Sequence, residues 1–175
     1  RDLAQEFEGI TSGEKTTTVA EYLGRYRHVY SGYFDNAMGF PVSNFFNQDQ
    51  MKQKLFGSLG VSGTMKFKIV WNADPTVCGF YIMSYTPPAV SVSPHPHTYM
   101  NYAMFHSGCP HVKINISKDT SAELSVPYIG ETPYIPLLWE NNWISAEQVG
   151  YLNLVPLIGP ESSTSPVSVS YSVYF

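Results

Sequence analysis

Residues 110–137 read P-H-V-K-I-N-I-S-K-D-T-S-A-E-L-S-V-P-Y-I-G-E-T-P-Y-I-P-L, and they set out two strands with the turn between them. Val112, Ile114 and Ile116 alternate with His111, Lys113, Asn115 and Ser117, the period-two pattern of a strand with one buried face. Lys118-Asp119-Thr120-Ser121 is turn chemistry. Ala122, Leu124 and Val126 then alternate with Glu123 and Ser125. The second strand ends at Pro127, because proline cannot donate to a sheet ladder.

The same signal recurs on both sides of this stretch. Met65, Phe67 and Ile69 alternate with Lys66, Lys68 and Val70, and Asn72-Ala73-Asp74-Pro75 turns the chain, so residues 79–86 are expected as the hairpin partner. Residues 150–158 read as a further strand. In the last stretch Val167, Val169, Tyr171, Val173 and Phe175 face one way and Ser168, Ser170, Ser172 and Tyr174 the other. Two helices precede this series. Thr18-Val19-Ala20-Glu21 spells a capping box, and Val19, Tyr22, Leu23 and Tyr26 follow on one helical face. Asn47-Gln48-Asp49-Gln50 opens the second, with Met51, Leu55 and Leu59 on one side and Gly57 and Gly60 closing it. Residues 87–107 and 130–148 are expected as long loops rich in Pro, His and Trp. The count gives an all-β fold, an eight-stranded antiparallel β-sandwich of jelly-roll type with two short helices, since so many short alternating strands need two facing sheets. Residues 1–17, polar apart from Leu3, Phe7 and Ile10, form an N-terminal arm to a domain of residues 18–175.

A chain of 175 residues can bury a core of its own. Only 14% of residues are charged while 15% are aromatic, so much of the surface a solitary domain would charge is aromatic, hydroxyl or proline, as in a protein covered by neighbours. The net charge is −4, and no window carries a run of Lys or Arg. Direct contact with a phosphate backbone is therefore not the main event expected of this segment. Cys78 and Cys109 make no CxxC and are expected as free, mostly buried thiols in a reducing cytosol. No apolar stretch has the length of a membrane anchor.

The order of these pieces resembles the capsid proteins of picornavirus-like viruses, of the dicistrovirus, iflavirus and marnavirus types. Residues 110–128, opened by Pro-His and closed on Val-Pro-Tyr-Ile, resemble their F and G strands. Gly13-Glu14, Thr18 and Tyr22-Leu23-Gly24-Arg25 resemble the segment that precedes strand B. Residues 56–72 resemble the passage from helix to strand D, residues 78–88 strand E, and residues 150–157 and 167–175 strands H and I. The resemblance implies a non-enzymatic structural subunit without a cofactor. It would assemble with other capsid proteins of the same virus into an icosahedral shell around the RNA genome, in the host cytoplasm, and end in the virion; it identifies no host receptor. An Asp-Asp-Phe triplet of the kind linked to precursor cleavage in some relatives is absent, Phe34-Asp35-Asn36 holding one acid.

Several residue groups are weighed against this reading. Tyr128, Tyr134, Trp139 and Trp143 are the aromatic candidates for subunit interfaces; on a carbohydrate-binding, lectin-like jelly roll, Trp139 and Trp143 would instead stack on sugar. His95, His97 and His106 would charge together in acid and repel at an interface, a pH-sensing role. A metal at His95 and His97 with His106, Cys109 and His111 is disfavoured, because Pro96 holds an extended loop and no Glu follows at cupin spacing. Asp49, Glu123 and Glu131 have no spacing that pairs them as catalytic acids. Asn115-Ile116-Ser117 spells a glycosylation sequon inside a strand expected to be buried.

Overall fold

The computed structural model describes residues 18–88, 102–130, 132–137, 144, 146–162 and 167–175. The expected arm, residues 1–17, lies outside them, as do His95, His97, Trp139 and Trp143. The described strands are β1 (His28–Tyr33), β2 (Met38–Pro41), β3 (Gly60–Val61), β4 (Thr64–Trp71), β5 (Cys78–Thr86), β6 (His111–Asn115), β7 (Ser121–Pro127), β8 (Ile135–Pro136), β9 (Tyr151–Glu161) and β10 (Ser170–Tyr174). Two four-stranded antiparallel sheets, ordered β1-β10-β4-β7 and β2-β9-β5-β6, make the sandwich, and β3-β8 forms a separate pair. This is the jelly roll that the alternation predicts.

One pairing differs from expectation. β4 and β5 are not hairpin partners: β4 pairs with β7 and β10, while β5 pairs with β6 and β9. Residues 72–77 carry the chain across the sandwich, a thickness of about 10 Å. Met65, Phe67, Ile69 and Trp71 of β4 thereby face Tyr81, Met83 and Tyr85 of β5 through one core. The chain crosses in the same way between β6 and β7, which also lie in opposite sheets. Aromatic rings fill much of the space between the sheets. Phe34 packs edge-on to Trp71 at 5.8 Å and lies 4.9 Å from Tyr171, and Phe67 stacks on Phe175 at 5.3 Å. Buried tyrosines keep their hydroxyls partnered at the sandwich margin, Tyr81 donating to the Asp35 carbonyl and Tyr85 to that of Val149.

Five short helices are described rather than two: α1 (Val19–Leu23), α2 (Ser43–Phe46), α3 (Asp49–Leu55), α4 (Ala103–Ser107) and α5 (Ala146–Val149). α1 carries the predicted capping box, with the Thr18 hydroxyl accepting from the Glu21 amide and the Glu21 carboxylate from the Thr18 amide, both at 3.2 Å. α2, α4 and α5 are one-turn elements, too short to show a period. They exist because tertiary burial of Phe45, Phe46, His106 and Val149 holds them. α3 buries Met51 and Leu55 as predicted and then stops, since Gly57 takes a left-handed φ of 92°. Leu59 consequently leaves the expected helical face and points outward. Gly60, expected as a helix stop, sits in β3, where the Tyr134 ring leaves no room for a Cβ.

Candidate assembly surfaces

The exit of α3 and the β3-β8 pair build one apolar surface. Turning at Gly57 leaves Phe56 77% and Leu59 83% exposed. The Leu137 amide donates to the Leu59 carbonyl at 3.1 Å, and Val61 pairs with Ile135, which brings Tyr134 alongside. Tyr134 is 46% exposed, its ring lying against the Gly60 backbone. Tyr128 leaves β7 with its amide fixed to the Gly63 carbonyl at 3.0 Å, and Ile129 beside it is exposed. Thr132 links the two tyrosines, its Oγ1 lying 3.4 Å from the Tyr128 hydroxyl and donating to the Tyr134 carbonyl. The structure therefore places Tyr128 and Tyr134 together, and it adds Phe56, Leu59 and Ile129, which sequence reasoning missed. The available signal was Gly57, a left-handed turn that ends the helix before Leu59.

His106 has a different setting from the loop expected for it. α4 packs on the outward face of β5 and β9, so β5 is covered on both faces over most of its length. Between helix and sheet, His106, Ser84 and Asn153 are fully buried. His106 Nδ1 lies 2.8 Å from Ser84 Oγ, and Asn153 Nδ2 donates to Thr86 Oγ1 at 2.7 Å. Of the three histidines expected to act together, this one is structural in its contacts, tying α4 to β5. Among the described residues no three His, Cys, Asp or Glu side chains gather as metal ligands.

The thiols are also placed differently from expectation, since Cys78 is exposed and Cys109 half-buried. Cys78 opens β5, whereas Cys109 meets Thr86 at its far end, where burial pushes the Cys109 thiol up and the Thr86 contact partly offsets it. Asn115 ends β6 rather than lying within a buried strand, and its Oδ1 accepts from the amide and hydroxyl of Ser117 at 3.2 and 2.8 Å.

A sandwich of two four-stranded sheets in this order, with aromatic and aliphatic side chains left open along one margin, defines a jelly-roll domain. A picornavirus capsid protein model matches residues 37–155. The chain belongs to the picornavirus capsid protein family. It is 27% identical over 113 residues to the structural polyprotein of Cricket paralysis virus, a match over 64% of this chain and 12% of the polyprotein. The chain thus spans about an eighth of the length of that relative. The structure of Triatoma virus contains a chain with the same fold, with a TM-score of 0.78 at 18% identity over 95% of this chain and 69% of the other. A chain of the Kashmir bee virus virion at neutral pH gives a TM-score of 0.77 at 20% identity, over 94% and 74%.

Proposed function

We propose that this chain is one jelly-roll subunit of a picorna-like capsid, assembling in the host cytoplasm with other capsid proteins of its virus to enclose the RNA genome. The observation that carries the reading is the sheet order β1-β10-β4-β7 over β2-β9-β5-β6, on a chain whose central two thirds match the capsid family. The surface of Phe56, Leu59, Ile129 and Tyr134, with Tyr128 behind it, is a lateral face of the subunit. Burying exposed apolar area gains roughly 25 cal/mol per Å², and weak contacts multiply over a closed symmetric shell. A carbohydrate-binding role has no support from the family match.

The test is sedimentation and negative-stain electron microscopy of virus carrying Phe56→Ser and Leu59→Ser, beside wild type. Closed particles from wild type and unassembled, folded subunits from the double variant are expected. Wild-type chains that remain monomeric would remove the shell reading, and normal particles from the variant would remove this face from it.

A further inference from the structure

The sequence contains no basic run, yet the fold gathers one. Among the described residues, Arg25, Arg27, Lys52, Lys54, Lys66 and Lys68 converge on α1, the segment after it, α3 and the outward face of β4. Contacts tie these elements together. α1 packs on α3, the Arg27 guanidinium lies 3.9 Å from the centre of the Tyr22 ring, and Lys54 Nζ lies 5.2 Å from the same ring. Arg27 Nη1 also reaches Met51 Sδ at 3.0 Å. The Arg27 backbone pairs with Phe175 beside β10, whose Tyr174 lies opposite Lys68, and Lys68 Nζ is 5.6 Å from the Tyr26 ring centre.

Six cations here face three carboxylates, Glu21, Asp49 and Glu123. Glu21 is engaged in its capping box and Glu123 pairs with Lys68 at 2.9 Å. Arg25, Lys52 and Lys54 make no ion pair among the described residues. Acids collect elsewhere: Asp74 in the β4–β5 connection, Asp119 in the β6–β7 connection, Asp35 after β1 and Glu161 ending β9. Those positions share the opposite end of the sandwich, because Tyr33, Trp71 and Cys78 all lie there by register. A chain with a net charge of −4 therefore carries a locally positive surface.

We propose that this surface of Arg25, Lys52, Lys54, Lys66 and Lys68, with Tyr22 and Tyr26 between them, binds single-stranded RNA and is the genome-facing side of the subunit. The proposal rests on the shell reading above. Cations spread over a broad face suit a flexible polyanion, which needs no fixed counter-surface, and the exposed Tyr26 ring among them suits an unpaired base. A neighbouring subunit's acidic end is the competing occupant. It would need carboxylates held in register with Arg25, Lys52 and Lys54, none of which is oriented by an ion pair among the described residues.

The test measures fluorescence anisotropy of a labelled oligouridylate with the purified chain across a salt series, beginning at about 50 mM. The triple variant Arg25→Gln, Lys52→Gln, Lys54→Gln is compared with wild type and with a control, Lys113→Gln, Lys118→Gln, outside the surface. Arg27 is left intact because it packs against Tyr22 and Met51. The slope of log affinity against log salt is expected to flatten by about 0.7 for each cation removed from the surface, with the control unchanged. No binding by wild type at low salt, or equal slopes in all three proteins, overturns the proposal. So does a triple variant that binds normally but blocks particle formation, which assigns the surface to a neighbouring subunit. Particle formation by wild type is scored separately by sedimentation, so the shell reading stands or falls independently of the RNA result.

Discussion

His106 Nδ1 lies 2.8 Å from Ser84 Oγ, with neither side chain exposed to solvent, and this bond joins the helix α4 to the outward face of the sheet. Ser84→Ala leaves the imidazole buried without that partner. The expected cost is about 1–3 kcal/mol, the penalty of an unsatisfied buried polar atom. Urea unfolding of the purified chain, beside Ser125→Ala on an exposed strand position, checks it; equal midpoints for the two variants would show that the bond contributes nothing.

Phe67 is fully buried where both sheets meet, stacked on Phe175 at 5.3 Å and near Tyr85 at 6.2 Å. Phe67→Ala is expected to destabilise the chain by about 3–5 kcal/mol, because the rings around it cannot collapse into the cavity. Phe56→Ala, on an exposed position, should leave thermal unfolding of the isolated chain nearly unmoved. A calorimetric scan of both separates core from surface.

Cys78 and Cys109 sit at opposite ends of β5, a separation of roughly 25 Å at the rise of a strand. A disulfide needs Cα atoms within about 7 Å, so non-reduced and reduced chains should migrate alike. Iodoacetamide labelling followed by mass spectrometry is expected to modify Cys78 first. Cys109 should lag, since burial raises its pKa and less thiolate is present.

Burial pushes the hydroxyls of Tyr81 and Tyr85 up to about 12, with smaller contributions from Asp35 and Tyr128 respectively. Burial, then Tyr30 and Tyr81, raises Tyr171 as well. A group raised above its unfolded value of 10.0 contributes stability that is whole below that pH. Between pH 10 and about 12 the unfolded chain loses these protons and the folded chain keeps them, so stability falls as pH rises. The share of tyrosinate absorbance that belongs to these three rings should therefore lag and then appear cooperatively with unfolding. A smooth titration centred near pH 10 would mean that these rings are not buried.

Alternation in residues 65–70, 111–116, 122–126 and 169–173 shows in the sequence because each of those strands has one wet face. β5 hides its assignment better. Ile82 and Ser84 are as buried as Tyr81 and Met83, since α4 covers the outward face, so the strand reads as a continuous run. Nothing local tells a strand which sheet to join, and the Asn72-Ala73-Asp74-Pro75 turn serves a crossing as well as a hairpin. Leu59 was misplaced for a similar reason, because helical spacing continues on paper past the left-handed Gly57 that ends the helix. Tyr128 and Tyr134 were found through residue type alone. The cationic surface was invisible because Arg25, Lys52 and Lys66 are neighbours only after folding.

The placement of β10 between β1 and β4 has a consequence for how the subunit comes into being. Tyr171 stands opposite Gly32 on one side and Trp71 on the other, so the centre of one sheet is filled only when a strand more than a hundred residues beyond β1 has docked. Until then β1 and β4 hold open ladders with nothing between them. Closure joins residues more than a hundred positions apart, the kind of late, long-range pairing that makes β topologies slow. The other sheet is held in the same way, since β9 lies between β2 and β5 and sets Leu154 opposite Met38, so neither sheet exists until strands from the two ends of the fold have met, and the sandwich forms as one cooperative unit rather than sheet by sheet.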